Sequence, residues 1–175
     1  MTLPDHLEFW TAVSLLGSPL TMTVLCVTLA GTLAARGRRI PAIAVLLVQG
    51  GGGLLNLTLK ELVKRPRPPG SELVLNGFSW SFPSGHAMGS LIGYGMLYVC
   101  LSRYWTLSGV ARLTLVTTAV LTVLAIGISR IALGVHYPGD VAGGFLIGAA
   151  WLSTGLMLLR RAEAARLSPS EAPAR

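Results

Sequence analysis

Trp10–Ala35 reads WTAVSLLGSPLTMTVLCVTLAGTLAA and contains no charged side chain. Four further windows share its character: Ile40–Leu59, Leu73–Ser102 (where His86 is the one group that ionises near neutral pH), Leu113–Ser129 and Val141–Leu159. A bilayer core needs roughly 20 apolar residues per helix. The five windows therefore predict an all-α fold, a polytopic transmembrane helix bundle of about five spans. Composition agrees. Of 175 residues, 52 % are apolar and 12 % charged, about half the charged share of soluble domains. Disorder and an ordinary water-soluble fold are excluded on those grounds, and the length allows one domain rather than two.

The formal charge of +7 would point to nucleic acid in a soluble protein. Its distribution points elsewhere. If the five windows span alternately, Arg36, Arg38, Arg39, Arg103, Arg112, Arg160, Arg161, Arg166 and Arg175 share one side with only Glu163 and Glu171, a net of +7. Lys60, Lys64, Arg65, Arg67 and Arg130 share the other with Asp5, Glu8, Glu61, Glu72 and Asp140, which cancel them. Short loops rich in Lys and Arg stay cytoplasmic, so the N-terminus is expected outside and the C-terminus inside. No basic-aromatic interleaving or reader motif supports nucleic acid as a partner. Asp5 and Glu8 without a nearby Lys or Arg are the reverse of a secretory n-region.

Along the chain, Met1–Trp10 is expected as a short interfacial segment with Phe9 and Trp10 at headgroup depth. Span one covers 11–34, kinked at Gly17-Ser18-Pro19. Span two runs from Pro41 to Lys60, and its Gly50–Gly53 run is read as a helix-packing surface. Span three begins at Ser84 and ends in the basic, aromatic Arg103-Tyr104-Trp105. Span four covers 110–129, and span five 139–159. A single domain is expected over 1–160, followed by a disordered cytoplasmic tail over 161–175. Cys26 and Cys100 read as inert packing residues, and His6, Glu72 and Asp5 as solvated. Phe78, Trp80 and Phe82 read as an interfacial belt, while Lys64 and Arg65 are expected to meet only headgroups or solvent.

The unusual residues gather at the outer ends of three helices: Lys60, Arg67, Ser84-Gly85-His86, Arg130, His136 and Asp140. Ionisable groups at membrane depth are costly and mark function by default. Three cations beside two histidines describe an anion site, and phosphate is the obvious anion. Ser84 and Gly85 open a helix, whose free N–H groups also favour an anion. His136 and Asp140, spaced i, i+4, would share a face if span five began at or before His136. The carboxylate would then orient the imidazole, leaving its other nitrogen free to attack phosphorus, with His86 protonating the departing oxygen. No metal-ligand spacing is present, and this chemistry requires neither metal nor cofactor.

Lys60-x6-Arg67-Pro68, Pro83-Ser84-Gly85-His86 and Ser129-Arg130-x5-His136-x3-Asp140 together resemble the tripartite signature of the type-2 phosphatidic acid phosphatase superfamily. The resemblance implies His136 as the phosphohistidine nucleophile, Asp140 as its orienter and His86 as the acid. It implies Lys60, Arg67 and Arg130, with the amides around Ser84 and Gly85, as the phosphate clamp, and Ser129 as a structural neighbour. Membrane members commonly have six spans where this chain has room for five. The expected function is a metal-independent lipid phosphatase in a bacterial cytoplasmic membrane, its site facing outward. Its partners are the bilayer and a lipid phosphate, with undecaprenyl diphosphate ranked ahead of phosphatidylglycerophosphate, phosphatidic acid and lipid A. A lipid-to-lipid phosphotransferase and a non-enzymatic lipid-binding transporter or scaffold are the alternatives. The oligomeric state is not legible.

Overall fold

The computed structural model describes residues 5–71 and 79–167. They form six helices: α1 (Asp5–Leu15), α2 (Pro19–Ala35), α3 (Arg39–Val63), α4 (Gly85–Tyr104), α5 (Gly109–Ala132) and α6 (Pro138–Leu167). The predicted kink in span one is a complete break. Ser18 caps α2 by accepting from the Thr21 N–H at 3.1 Å, and Pro19 occupies the first turn, where its missing N–H costs nothing. Carbonyls freed at the break find hydroxyls: Thr21 donates to Leu15 O at 2.6 Å and Tyr94 to Leu16 O at 3.0 Å. The break lets α1 pack against α5 while α2 packs against α3 and α4. The chain from Asp5 onward is therefore part of α1, and no separate interfacial segment precedes it among the described residues. Residues 1–4 and the side chains of Asp5 and His6 lie outside the description.

Among the described residues, four segments are long and apolar enough to cross a membrane unaided: Leu7–Ala35, Arg39–Val63, Gly109–Ala132 and Pro138–Arg166. The fifth predicted span, α4, is long enough at 20 residues but carries four glycines, two serines and three tyrosines. Its position explains that composition. α4 lies in the middle of the bundle, touching α2, α3, α5 and α6, so its surface meets protein rather than lipid. Met88, Ile92, Met96 and Cys100 of α4 are fully buried with Leu33 of α2 and Val45 of α3. Cys26 joins them, and both thiols are free. Leu20, Leu47, Leu54, Leu113, Leu121 and Leu146 point outward, as a lipid-facing surface requires.

At the end of the bundle away from the motifs, Arg36 stacks over Trp105, Arg38 faces Tyr104, and Arg103 pairs with Glu163 at 2.7 Å. α6 continues to Leu167, beyond the boundary placed at residue 160, so the first part of the expected disordered tail is helix; 168–175 lie outside the description.

Candidate active site

Lys60, Arg67, Gly85, His86, Arg130 and His136 line one cavity of about 390 Å³. Three helices and two connecting loops bring them together. Lys60 sits in the last turn of α3, His86 in the first turn of α4, Arg130 in the last turn of α5, and Arg67 and His136 in the connecting loops. Lys64 ends α3 in the left-handed conformation (φ 49°), and the chain doubles back so that the Ser81 N–H donates to Arg65 O at 2.9 Å. That return lays Ser79–Ser81 beside the motif cations. The Lys60 ammonium donates to Trp80 O, keeping two further donors. Arg67 donates to Ser79 O at 2.7 Å, Ser79 Oγ at 2.9 Å and Val135 O at 2.7 Å. Arg130 donates to Ser14 Oγ, a contact from α1 made possible by the break in span one, while its buried Nε has no partner among the described residues. Burial lowers the Arg67 pKa, with Asp140 acting in the opposite direction.

His136 is two-sided. Its Nε2 lies 3.3 Å from Arg67 Nη1, and the ring is among the cavity's walls. Its Nδ1 faces away, 3.4 Å from Ser81 Oγ and 3.6 Å from Asp140 Oδ2. The second distance is longer than a hydrogen bond. Ser81 bridges it, because its hydroxyl donates to Asp140 Oδ2. Asp140 thus holds the ring through Ser81. Burial first, then Arg67, Arg130, Lys60 and His86, hold the His136 pKa at about 2, so the imidazole is the free base and its outward nitrogen carries a lone pair. The shared helical face expected for His136 and Asp140 does not form. α6 begins at Pro138, which leaves His136 in the preceding turn. The turn achieves the contact instead, with the Tyr137 N–H donating to Asp140 Oδ2 at 2.9 Å.

Ser84 and Gly85 have tasks beyond those expected. The Ser84 hydroxyl caps α4 through Ala87 N–H, and its own N–H donates to Asp140 O at 3.0 Å, so Ser84 does not face the cavity. The free amides at this helix end belong to Gly85 and His86, neither of which has a partner among the described residues. Gly85 is also required by packing, since a Cβ there would stand 3.1 Å from Asn56 Oδ1.

Sequence reasoning missed Arg65 and Ser81. Arg65 does not simply meet headgroups: its Nη1 pairs with Asp140 Oδ1 at 2.9 Å and its guanidinium stacks 4.4 Å from the Tyr137 ring centre. Lys64 remains exposed. Neither Arg65 nor Ser81 carries a sequence signal beyond lying between motif positions. Ser129 is buried and bonded to Ile126 O at 2.7 Å, a structural role. Phe82 is no belt residue, because its ring fills the space above Gly143, whereas Trp80 donates to Glu61 at 3.3 Å. Phe78 and Glu72 lie outside the described residues.

The sequence profile of the PAP2 superfamily matches residues 41–162. Phosphatidylglycerophosphatase B of Bacillus subtilis (strain 168) is 35 % identical over 142 residues, covering 81 % of this chain and 69 % of the relative. Decaprenylphosphoryl-5-phosphoribose phosphatase of Mycobacterium tuberculosis (strain CDC 1551 / Oshkosh) is 33 % identical over 110 residues, covering 59 % of this chain and 55 % of the relative. A crystal structure described as the first transmembrane PAP2-type phosphatidylglycerolphosphate phosphatase, from Bacillus subtilis, superposes with a TM-score of 0.74 at 30 % identity, over 98 % of this chain and 82 % of that one.

Proposed function

The chain belongs to the PAP2 superfamily and is a multi-pass membrane phosphatase, and we propose that it hydrolyses lipid phosphates through a phosphohistidine on His136. The two-sidedness of that ring carries the reading: one nitrogen is held from behind by Ser81 and Asp140, the other faces a cavity rimmed by cations. A phosphate entering there meets Lys60, Arg67, the Nε of Arg130, which has no partner among the described residues, and the Gly85 and His86 amides. The His136 Nε2 lone pair attacks phosphorus, forming the N–P bond as the P–O bond to the lipid breaks. His86, protonated once the bound phosphate dianion offsets the surrounding cations, gives its proton to the leaving oxygen. It then takes a proton from the water that attacks phosphorus, and inorganic phosphate departs as the N–P bond breaks. Clamp donors aimed at the phosphoryl oxygens supply about 10²–10³-fold in rate each.

Phosphatidylglycerophosphate leads as substrate through the likeness to phosphatidylglycerophosphatase B. Undecaprenyl diphosphate stands second, supported by the charge asymmetry, which favours a site on the outer face, where a carrier lipid would be released.

The test is phosphate release by purified protein in detergent from both lipids, phosphatidic acid and lipid A, with EDTA present, beside His136→Ala. Release that persists in EDTA, is inhibited by vanadate and vanishes in the variant is expected. Activity lost in EDTA and restored by Mg²⁺ would overturn the mechanism. Release appearing only when a second lipid is added would instead identify a phosphotransferase using the same histidine.

A further inference from the structure

The cavity runs deeper into the bundle than a phosphate requires. α3 lines it with Gln49, Gly52, Asn56 and Lys60, all on one helical face. From Lys60 to Gln49 is roughly 16 Å along the axis, at about 1.5 Å per residue. The polar group midway is occupied: Asn56 Nδ2 donates to Pro83 O at 3.3 Å and lies 3.7 Å from Met88 Sδ. Gln49 differs. Its Oε1 is buried without a hydrogen-bond partner, and its amide makes no hydrogen bond among the described residues. α4 leaves it room with two glycines. A Cβ on Gly93 would stand 3.4 Å from Oε1, and one on Gly89 would stand 3.7 Å from Nε2. An unpaired amide at membrane depth is costly, and this one borders the space that opens onto the phosphate clamp.

We propose that Gln49 is a specificity-determining residue: it hydrogen-bonds a polar group of the lipid lying well below the reacting phosphorus, and so selects a glycerolipid with a long polar stretch. The proposal rests on the phosphatase reading above. In phosphatidylglycerophosphate the terminal phosphorus is about eleven bonds, roughly 14 Å extended, from the first ester carbonyl. That reaches the Gln49 amide, which stands beside Gly89 and Gly93, about 6–12 Å below Gly85 along α4, with phosphorus above the Gly85 amide. In phosphatidic acid the corresponding distance is about 6 Å, and in a polyprenyl diphosphate the polar atoms end after about 5 Å and only hydrocarbon follows. Only the first lipid brings an ester oxygen to the amide while its terminal phosphate sits at His136. The amide offers both a donor and an acceptor, so the match holds whichever way its terminal atoms are turned.

The experiment compares wild type with Gln49→Met, which keeps the length and removes the hydrogen bond, on phosphatidylglycerophosphate, phosphatidic acid and undecaprenyl diphosphate in one detergent. Gln49→Leu runs alongside in case the first variant folds poorly. The expected result is a rise of about tenfold in KM for phosphatidylglycerophosphate alone, with its kcat unchanged and both parameters within about twofold for the other two lipids. The amide is too far from phosphorus to act on the chemical step. Equal losses on all three lipids, or no loss on any, would overturn the role of Gln49 while leaving the phosphatase intact. A wild-type protein inactive on all three would overturn both.

Discussion

Asp140 has no exposed surface, and three donors converge on it: Arg65 on Oδ1, and Ser81 and the Tyr137 N–H on Oδ2. A buried carboxylate is tolerable only when paired and hydrogen-bonded. Removing one donor therefore loosens what stands in front of it, the Ser81–His136 contact. Arg65→Ala is expected to lower kcat by about tenfold to a hundredfold, the worth of one hydrogen bond to a charged group. KM should move little, because Arg65 does not line the cavity. Lys64→Ala, one residue away and exposed, should leave both parameters unchanged. Steady-state kinetics on the pair checks the assignment, and equal effects would refute it. Residue types alone made Lys60, Arg67, His86, Arg130 and His136 legible, because charged and imidazole groups beside apolar helices have few uses other than function. Arg65 and Ser81 were hidden because their partner lies far along the chain, and nothing local distinguishes a guanidinium that folds inward from one that meets headgroups.

Helix limits were mostly readable from apolar length and charged ends, as with Ser84 before α4, whereas the Ser108 cap before α5 emerged only in the structure. What the pattern could not give was which helix faces which. Of the run Gly50–Gly53, read as a packing surface, only the middle two have close neighbours: a Cβ would stand 2.7 Å from the Trp151 ring at Gly51 and 2.5 Å from Ile92 at Gly52. Gly50 and Gly53 have nothing within 4 Å. Among the described glycines, the one set closest to another segment's backbone is Gly144 of α6, where a Cβ would stand 2.8 Å from O of Ser84, the cap of α4. Gly144→Ala must push the start of α4, with His86, away from the start of α6, with Asp140. A loss of about 1–3 kcal/mol of stability and a fall in activity are expected. Gly50→Ala should cost nothing and gain up to about 1 kcal/mol from helix propensity. Thermal midpoints in detergent, read beside phosphate release, distinguish the two.

Across the whole molecule, the arginine-rich end and the end that carries the histidine-lined cavity lie at opposite ends of the bundle, consistent with the charge asymmetry of the loops. The orientation proposed from that asymmetry is open to a direct test. Cys26 and Cys100 are buried and free, so an impermeant thiol reagent should ignore them. In intact bacteria lacking an outer-membrane barrier, Pro69→Cys at the clamp end should label, and Thr106→Cys at the arginine end should label only after lysis. The reverse pattern would place the active site in the cytoplasm and remove the argument for an outward-released carrier lipid.

The sequence by itself determined that the chain is a helical membrane bundle, which superfamily it joins, and which cationic and imidazole side chains gather at one end of it. Those properties are local: apolar length against bilayer thickness, charge at helix ends, and motif spacing within single segments. Only the tertiary structure decided that span one is two helices, so that Ser14 reaches Arg130, and that α4 is a central rather than a lipid-facing span. It also decided that Asp140 reaches His136 through Ser81 with Arg65 behind it, and that an unpaired Gln49 stands deep in the same cavity. Each of these depends on which distant segments touch, and hydrophobic patterning selects a face to bury without naming the partner that buries it.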